Sequence, residues 1–315
     1  MARMSGRRFD RRIERAYRSR FGKSLDTSLV AAAESDAKER QREIAELAEA
    51  VAQERCPADV VEPSAIARAK GITLSFGDYG DAFDGLLEHR AGRFHIFGNL
   101  VRLERPDAPR ARFTLGHELG HYYIDEHRHA LESGRVAAHG SCSEYESSLL
   151  AEQEADHFAA NLLMPRRRFL AEGRSLPPGL AGVRKLAERF GTSLTATALR
   201  YADLEVCPCA VVKWDWQGYA WKWLSTATLQ AGFRRTFESM ADLPDDGPTR
   251  QARAGGPLPA VGYFRAGTTT AAWFPGVQPG QWRDVLFIEQ AVPLGRFGVL
   301  TILYPEGGRA SLPGA

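Results

Sequence analysis

The pentapeptide His117-Glu118-Leu119-Gly120-His121 brings together residue types and a spacing suited to catalysis. In a helix, side chains four positions apart stand on one face about 5–6 Å apart, so two imidazoles can converge on one metal ion. A glutamate directly after the first histidine then reaches a water molecule at the ion and can act as a general base. The spacing predicts a hydrolytic metal site with ligands His117 and His121 and with Glu118 as the base.

The alternative is a buried helix whose two histidines are merely hydrogen-bonded. At about 100° per residue, Phe113 and Ile124 share the face of His117 and His121, and apolar residues also occupy the opposite face. Such a helix has almost no solvent-facing side. Its histidines need polar partners, because buried polar groups are rarely left without one. This requirement favours the metal site.

A catalytic zinc ion needs a third protein ligand and keeps one position open. The helix expected over residues 145–164 offers one, because Glu152 and Asp156 interrupt its apolar stripe. A carboxylate in a core stripe is costly unless it binds a cation or is paired, which favours Glu152 as the ligand. Asp156, one turn later, can accept the outer N–H of a ligating histidine and fix its tautomer. Glu154 falls on the polar face and is expected to meet solvent.

His127 is the competing third ligand, because it completes the outer spacing of the pattern H-E-x-x-H-x-x-G-x-x-H. That pattern uses glycine to turn the chain out of the helix. Here the position is Ile124, a β-branched residue that disfavours positive φ, so Glu152 stays the preferred ligand. Zn²⁺ is the expected ion. Mn²⁺ and Fe²⁺ stay open, since ligand type alone does not settle the metal.

Two longer segments resemble the signatures of a known family, the ImmA/IrrE metallopeptidases. Residues 112–121 (RFTLGHELGH) look like the gluzincin helix of that family. Residues 152–165 (EQEADHFAANLLMP) resemble its second signature, E-x-E-A-[ND]-x-F-A-x-x-L-L-M-P. The resemblance extends over roughly residues 60–204.

This resemblance implies a zinc-dependent endopeptidase that cleaves helix-turn-helix transcriptional repressors in a stress response. Residue by residue, His117, His121 and Glu152 match the metal ligands of the family, and Glu118 matches its catalytic base. The implied partner is a protein substrate, with no membrane partner. The rival interpretation is a non-proteolytic regulator, or a nucleic-acid-binding module, built on a zincin-like fold.

The elements that position these residues indicate an α+β protein. A helix is expected to begin between Pro106 and Pro109, with Asp107 as its cap, and to run to about Ile124. Residues 244–260 are rich in proline and glycine and are expected to form an exposed loop. Further helices are expected at 8–21, 29–55, 145–164 and 179–203, and strands at 72–76, 93–97, 210–216, 219–224, 284–290 and 298–304.

Four segments are therefore expected. They are a basic helical N-terminal extension (1–58), a zincin-like metallopeptidase core (59–178), a helix-turn-helix-like module (179–204) and a β-rich C-terminal domain (205–315). Some family members carry a GAF-like sensor domain at this last place, which is one interpretation of the β-rich segment. In the helix-turn-helix-like module, the second helix offers only Arg200 among base-reading side chains, which favours scaffolding over DNA recognition.

Composition excludes several classes of protein. With 44% hydrophobic and 25% charged residues among 315, the chain is typical of globular proteins, and it contains no apolar run long enough to span a membrane. The 41 basic and 39 acidic residues nearly balance, which argues against an overall electrostatic grip on nucleic acid. No apolar segment follows the basic residues 1–23, so a secretory signal is not expected. Four cysteines form no disulfide framework and indicate the cytoplasm.

Overall fold

The computed structural model describes residues 27–56, 60–135, 139–140, 149–233, 236, 238–274 and 285–307. The helix predicted at residues 8–21 lies outside them. The chain divides into two compact units, residues 1–165 and 166–315, and each unit contains one sheet. Among the described helices, none combines the length and the apolar character needed to cross a bilayer.

The sheet of the first unit has the strand order β1-β3-β2-β4. β1 runs parallel to β3, whereas β2 pairs antiparallel with both of its neighbours. Ala91 and Gly92 connect β2 to β3 with φ values of 51° and 73°, a hairpin turn with positive φ at both central residues. The four strands are β1 (Thr73–Gly77), β2 (Gly85–Arg90), β3 (Arg93–Asn99) and β4 (His139–Gly140).

Helices of the first unit carry the residues with predicted chemistry. The helix with the histidine pair begins at Pro109 after an N-cap at Ala108, so the expected cap at Asp107 is wrong. Proline fits this first position because its missing N–H has no partner within a helix anyway. In the part of this unit that the structure describes, the helices are α1 (Thr27–Arg55), α2 (Pro63–Ala69), α3 (Leu100–Leu103), α4 (Pro109–Tyr123), α5 (Asp125–Glu132) and α6 (Leu149–Leu163).

Two glycines of α4 allow this helix to pack closely against α6. A Cβ atom added to Gly120 would stand 3.0 Å from the Cα of Ala155 and 3.1 Å from its carbonyl oxygen. A Cβ atom added to Gly116 would stand 3.4 Å from the Cβ of Ala159, which is a much easier contact. The two backbones therefore approach most closely at Gly120, next to His121.

The described residues of the second unit form a five-stranded sheet in the order β6-β5-β9-β8-β7, with all strands antiparallel to their neighbours. Its core includes the fully buried aromatic side chains of Trp214, Phe233, Trp273 and Phe287. Four of these strands lie close to their predicted positions, whereas the sequence patterns do not predict the strand that begins at Phe264. The strands are β5 (Ala210–Trp214), β6 (Tyr219–Leu224), β7 (Phe264–Thr269), β8 (Leu286–Pro293) and β9 (Val299–Pro305).

The prediction of an exposed loop or linker over residues 244–260 is correct for residues 256–260, which are exposed and lie outside any helix or strand, but it is wrong for residues 248–254. A helix from Pro248 to Ala254 lies in its middle, and Pro248, Thr249 and Ala252 are buried. Pro248 at the start and Gly255, with φ of 75°, at the end are typical helix boundaries. Glu289 of β8 holds the helix start, because its carboxylate accepts hydrogen bonds from the backbone N–H and the hydroxyl of Thr249.

The remaining helices of the second unit include the pair predicted as a helix-turn-helix-like module. Thr197 and Arg200 on its second helix are buried, so this helix cannot offer them to base edges. The first backbone N–H of α8, at Leu180, donates to the side chain of Gln290 on β8. One compact unit thus joins the predicted module and the β-rich segment, and the division into those two parts stays a prediction. These helices are α7 (Arg166–Gly173), α8 (Leu180–Phe190), α9 (Leu194–Asp203), α10 (Thr226–Gln230), α11 (Pro248–Ala254) and α12 (Thr270–Trp273).

The close packing of α4 on α6 predicts different effects of alanine at the two glycines. Both Gly116→Ala and Gly120→Ala gain about 1 kcal/mol of helix propensity, so their difference reports packing alone. We expect Gly120→Ala to lower the free energy of unfolding by about 1–3 kcal/mol relative to Gly116→Ala, because its Cβ meets backbone atoms. Urea denaturation of the two variants measures this difference. Equal stability would mean that α4 and α6 are not in close contact at Gly120.

Candidate metal centre

The two histidines of α4 face a carboxylate on α6. The Nε2 atoms of His117 and His121 lie 3.1 Å apart. Glu152 lies opposite, with its Oε2 3.1 Å from Nε2 of His117 and its Oε1 3.4 Å from Nε2 of His121. One ligand atom from each of the three residues lies within 4.8 Å of the others, so the group could hold a metal ion.

These separations fit a bound cation. A tetrahedral ion with bonds of about 2.0–2.1 Å keeps its ligand atoms about 3.3 Å apart. Two neutral imidazoles cannot point their Nε2 lone pairs at each other across 3.1 Å without repulsion, so a proton or a metal ion must lie between them. Two nitrogen donors and one carboxylate suit Zn²⁺, and also Mn²⁺ or Fe²⁺.

The same contacts determine the charges of the centre. Burial disfavours a charged His117, but hydrogen bonds to Asp156 and Glu152 outweigh burial and raise its pKa to about 10. Burial also raises the pKa of Glu152, yet its hydrogen bonds with His117 and His121 prevail and lower this pKa below the usual range. A metal ion that binds here must therefore displace a proton from the imidazoles.

Asp156 lies behind His117, one helical turn beyond Glu152. Its Oδ1 is 2.9 Å from Nδ1 of His117, so it accepts the Nδ1–H of that ring. A neutral imidazole that carries its proton on Nδ1 has its lone pair on Nε2, the atom that faces Glu152. The contact therefore orients His117 for a metal ligand, and this function of Asp156 stays a prediction.

Glu118 is almost completely buried, with 1% of its surface exposed. Its negative charge is close enough to His117 to contribute to the raised pKa of that histidine. Strand β2 begins beside it at Gly85, where an added Cβ atom would stand 2.8 Å from Oε1 of Glu118 and would overlap the side chain of Thr114. Glycine at this point lets the sheet reach the carboxylate of the predicted base.

The prediction that Glu154 meets solvent is wrong. Its side chain is 11% exposed and accepts two hydrogen bonds from Arg40 of α1, at 3.0 and 3.2 Å. The other contact of Glu154 is with His127, whose Nε2 lies 3.1 Å from its Oε2. Helical periodicity identifies the polar face of α6 correctly, but it cannot show that α1 covers that face.

His127, the competing ligand, lies on the outer side of His121. Its Nδ1 is 3.2 Å from Nδ1 of His121, whereas the predicted ligand atom of His121 is Nε2. The group that could hold a metal ion contains Glu152 and not His127. The structure thus brings together the preferred ligand set of His117, His121 and Glu152.

The fold and the site together define a class of protein: an α+β protein whose first unit could hold a metal ion beside a buried carboxylate. Residues 73–201 match the Peptidase_M78 family, described as the IrrE N-terminal-like domain. This match over residues 73–201 confirms the resemblance to the ImmA/IrrE proteins. No curated protein matches the sequence.

The solved structure of a "Mycobacterium tuberculosis transcriptional regulator" is similar to the chain. The similarity covers 88% of this chain and 94% of that chain, with a TM-score of 0.57 and 15% sequence identity. At this identity the similarity shows the fold alone.

The third ligand is tested by two alanine variants. Glu152→Ala should abolish stoichiometric Zn²⁺ binding, because two imidazoles alone leave the site without its carboxylate. His127→Ala should still bind one ion per chain, although more weakly, because all three ligand atoms remain. Elemental analysis after equilibration with a small excess of Zn²⁺ and removal of free ions measures both. Loss of the ion in His127→Ala and its retention in Glu152→Ala would assign the third ligand to His127 instead.

The raised pKa of His117 predicts that metal binding depends on pH. Below about pH 10 the metal-free protein holds a proton on this ring, and a metal ion needs the lone pair that the proton occupies. Zn²⁺ binding at pH 7 should therefore release at least one proton per ion, and the apparent affinity should fall as pH falls. A pH indicator in weakly buffered solution measures the release. If no proton appears, His117 is not protonated in the metal-free protein at this pH, and its pKa is not raised.

Proposed function

We propose that this protein is a zinc-dependent endopeptidase of the cytoplasm that cleaves a helix-turn-helix transcriptional repressor and so switches on a stress response. The observation that carries the proposal is the convergence of His117, His121 and Glu152 beside the buried Glu118. That these residues lie within a domain of a peptidase family supports the proposal further.

The proposed reaction is hydrolysis of a peptide bond. Zn²⁺, held by His117, His121 and Glu152, would polarise the scissile carbonyl and acidify a water molecule. Glu118 accepts the proton of that water on its carboxylate and later delivers it to the departing amine. Asp156 holds the ring of His117 in orientation through the Nδ1 hydrogen bond.

The substrate and the regulation rest on the resemblance to the ImmA/IrrE family. Repressors of the helix-turn-helix type are the substrates that it implies. The proposed ligands and base all lie before residue 166, in the first unit. We assign a sensing, gating or substrate-holding function to the β-rich segment 205–315, where a GAF-like sensor is one interpretation.

A non-proteolytic regulator is the second candidate function, because the solved structure with a similar fold is that of a transcriptional regulator. The two candidates differ in what happens to a bound repressor. Purified protein loaded with Zn²⁺ is incubated with candidate helix-turn-helix repressors, with and without a chelator, and intact masses are followed. Repressor fragments that form only without the chelator support the peptidase, whereas a stable complex with an intact repressor supports the regulator.

The function of Glu118 as a base is tested by Glu118→Gln. Glutamine keeps the size of the side chain but cannot accept the proton, so cleavage should fall by at least about 100-fold while Zn²⁺ binding persists. The matched control is Glu46→Gln, the same substitution on the exposed face of α1, which should cleave like wild type. Cleavage at the wild-type rate by Glu118→Gln would exclude this residue as the base.

A further inference from the structure

We infer that Arg40, Glu154 and His127 form a hydrogen-bonded positioning chain that sets the tautomer of His121 and thereby its strength as a metal ligand. The inference rests on the proposed metal site. It concerns three side chains from three different helices, none of which is a proposed ligand, and one of which lies outside the residues matched by the family.

The inner end of the chain is the contact between two imidazoles. The Nδ1 atoms of His121 and His127 lie 3.2 Å apart, so one of them must donate and the other accept. His121 can ligate through Nε2 only if that atom carries the lone pair, which places its proton on Nδ1. Nδ1 of His127 must then be the acceptor.

The outer end of the chain enforces this choice. A carboxylate can only accept, so the Nε2 of His127, 3.1 Å from Oε2 of Glu154, must carry a proton. A neutral imidazole with its proton on Nε2 has its lone pair on Nδ1, which is the acceptor that His121 requires. The charge on Glu154 thus determines, through His127, which nitrogen of His121 is free for a metal ion.

Arg40 keeps Glu154 in the acceptor state. Its guanidinium donates through Nε and Nη2 to the two carboxylate oxygens of Glu154, and Nη2 also reaches Glu126 at 2.9 Å. Burying a carboxylate to 11% exposure is costly without such a hydrogen-bonded partner. Helix α1 therefore contributes to the centre, even though its residues precede the matched domain.

The two proposed histidine ligands differ in their outer partners. His117 donates directly to the carboxylate of Asp156, which can only accept. His121 donates to an imidazole, which can donate or accept through Nδ1 according to its tautomer. Of the two histidines, only His121 therefore needs further residues to determine its tautomer. The positioning chain of His127, Glu154 and Arg40 provides them.

Two substitutions of His127 separate hydrogen bonding from packing. Asparagine offers an oxygen near the position of Nδ1 and can accept from His121, but it fills less space than histidine. Leucine fills the space but cannot accept. We expect the dissociation constant for Zn²⁺, measured by competition with a chromophoric chelator, to stay within about threefold of wild type in His127→Asn and to rise about 10–100-fold in His127→Leu.

Arg40→Met tests the outer end, with Arg42→Met as the matched control. Arg42 lies on the same helix and pairs with Glu39 and Glu46, both exposed, so its removal changes the same charge without touching Glu154. We expect Zn²⁺ to bind about tenfold more weakly to Arg40→Met and equally well to Arg42→Met. Glu154→Gln should also weaken Zn²⁺ binding. In the double variant with Arg40→Met, the dissociation constant should rise by less than the product of the two single increases, because both substitutions break the same contact.

The tautomers themselves are observable. Nitrogen–proton correlation spectra of the histidine rings in the Zn²⁺-loaded protein should show His127 with its proton on Nε2 and an unprotonated Nδ1. In Glu154→Gln the proton should be distributed between Nε2 and Nδ1, because the amide can either accept from Nε2 or donate to it. Thermal unfolding of each metal-free variant checks its folding, and if the His127 variants do not fold, Arg40→Met and Glu154→Gln decide.

Several outcomes would overturn the proposed hydrogen-bonded positioning chain. They are Zn²⁺ binding to His127→Leu as tight as to His127→Asn, equal binding by Arg40→Met and Arg42→Met, or a proton on Nδ1 of His127 in the wild-type spectrum. If wild type binds no Zn²⁺, the proposed metal site is refuted, and the positioning chain is refuted with it. If wild type binds Zn²⁺ but these comparisons show no difference, only the chain is refuted.

Discussion

The close approach of α4 and α6 is the constraint on which the candidate metal centre depends. Gly120 has no Cβ atom, so the backbone of Ala155 can lie against it. This places a carboxylate of one helix within 3.1–3.4 Å of two imidazoles of the other. A wider separation of the helices would leave the two buried histidines without the carboxylate that completes a shared ion site, which is energetically unfavourable.

Burial of several ionisable groups around the centre is tolerated because these groups have partners of suitable charge or hydrogen-bonding type. Asp156 accepts a hydrogen bond from His117, and the carboxylate of Glu154 contacts both His127 and Arg40. Removing one member would leave a buried group unsatisfied, which costs more than the net contribution of the original bond. The centre and its surroundings are therefore best considered as one polar network inside an apolar unit.

The second unit applies the same rule away from the metal centre. Glu289 is 1% exposed in the middle of a sheet, yet its oxygens accept hydrogen bonds from Thr249 and from the indole N–H of Trp273. These bonds connect α11, α12 and the sheet around one buried carboxylate. A segment whose composition is typical of a loop thereby becomes an ordered helix.

The local sequence by itself determined the inner part of the centre. The spacing of His117 and His121 places them on one helical face, and interruptions of an apolar stripe identified Glu152 and Asp156, because both patterns depend only on 3.6 residues per turn. Among the described residues, the five longest helices and six of the nine strands followed from such helical or alternating patterns, whereas the shorter helices did not. Only the tertiary structure decided the environment of Glu154, since its partner Arg40 lies 114 positions away. It also decided that residues 248–254 form a packed helix. Local periodicity tells which face of a helix is polar, but not which distant segment will cover that face.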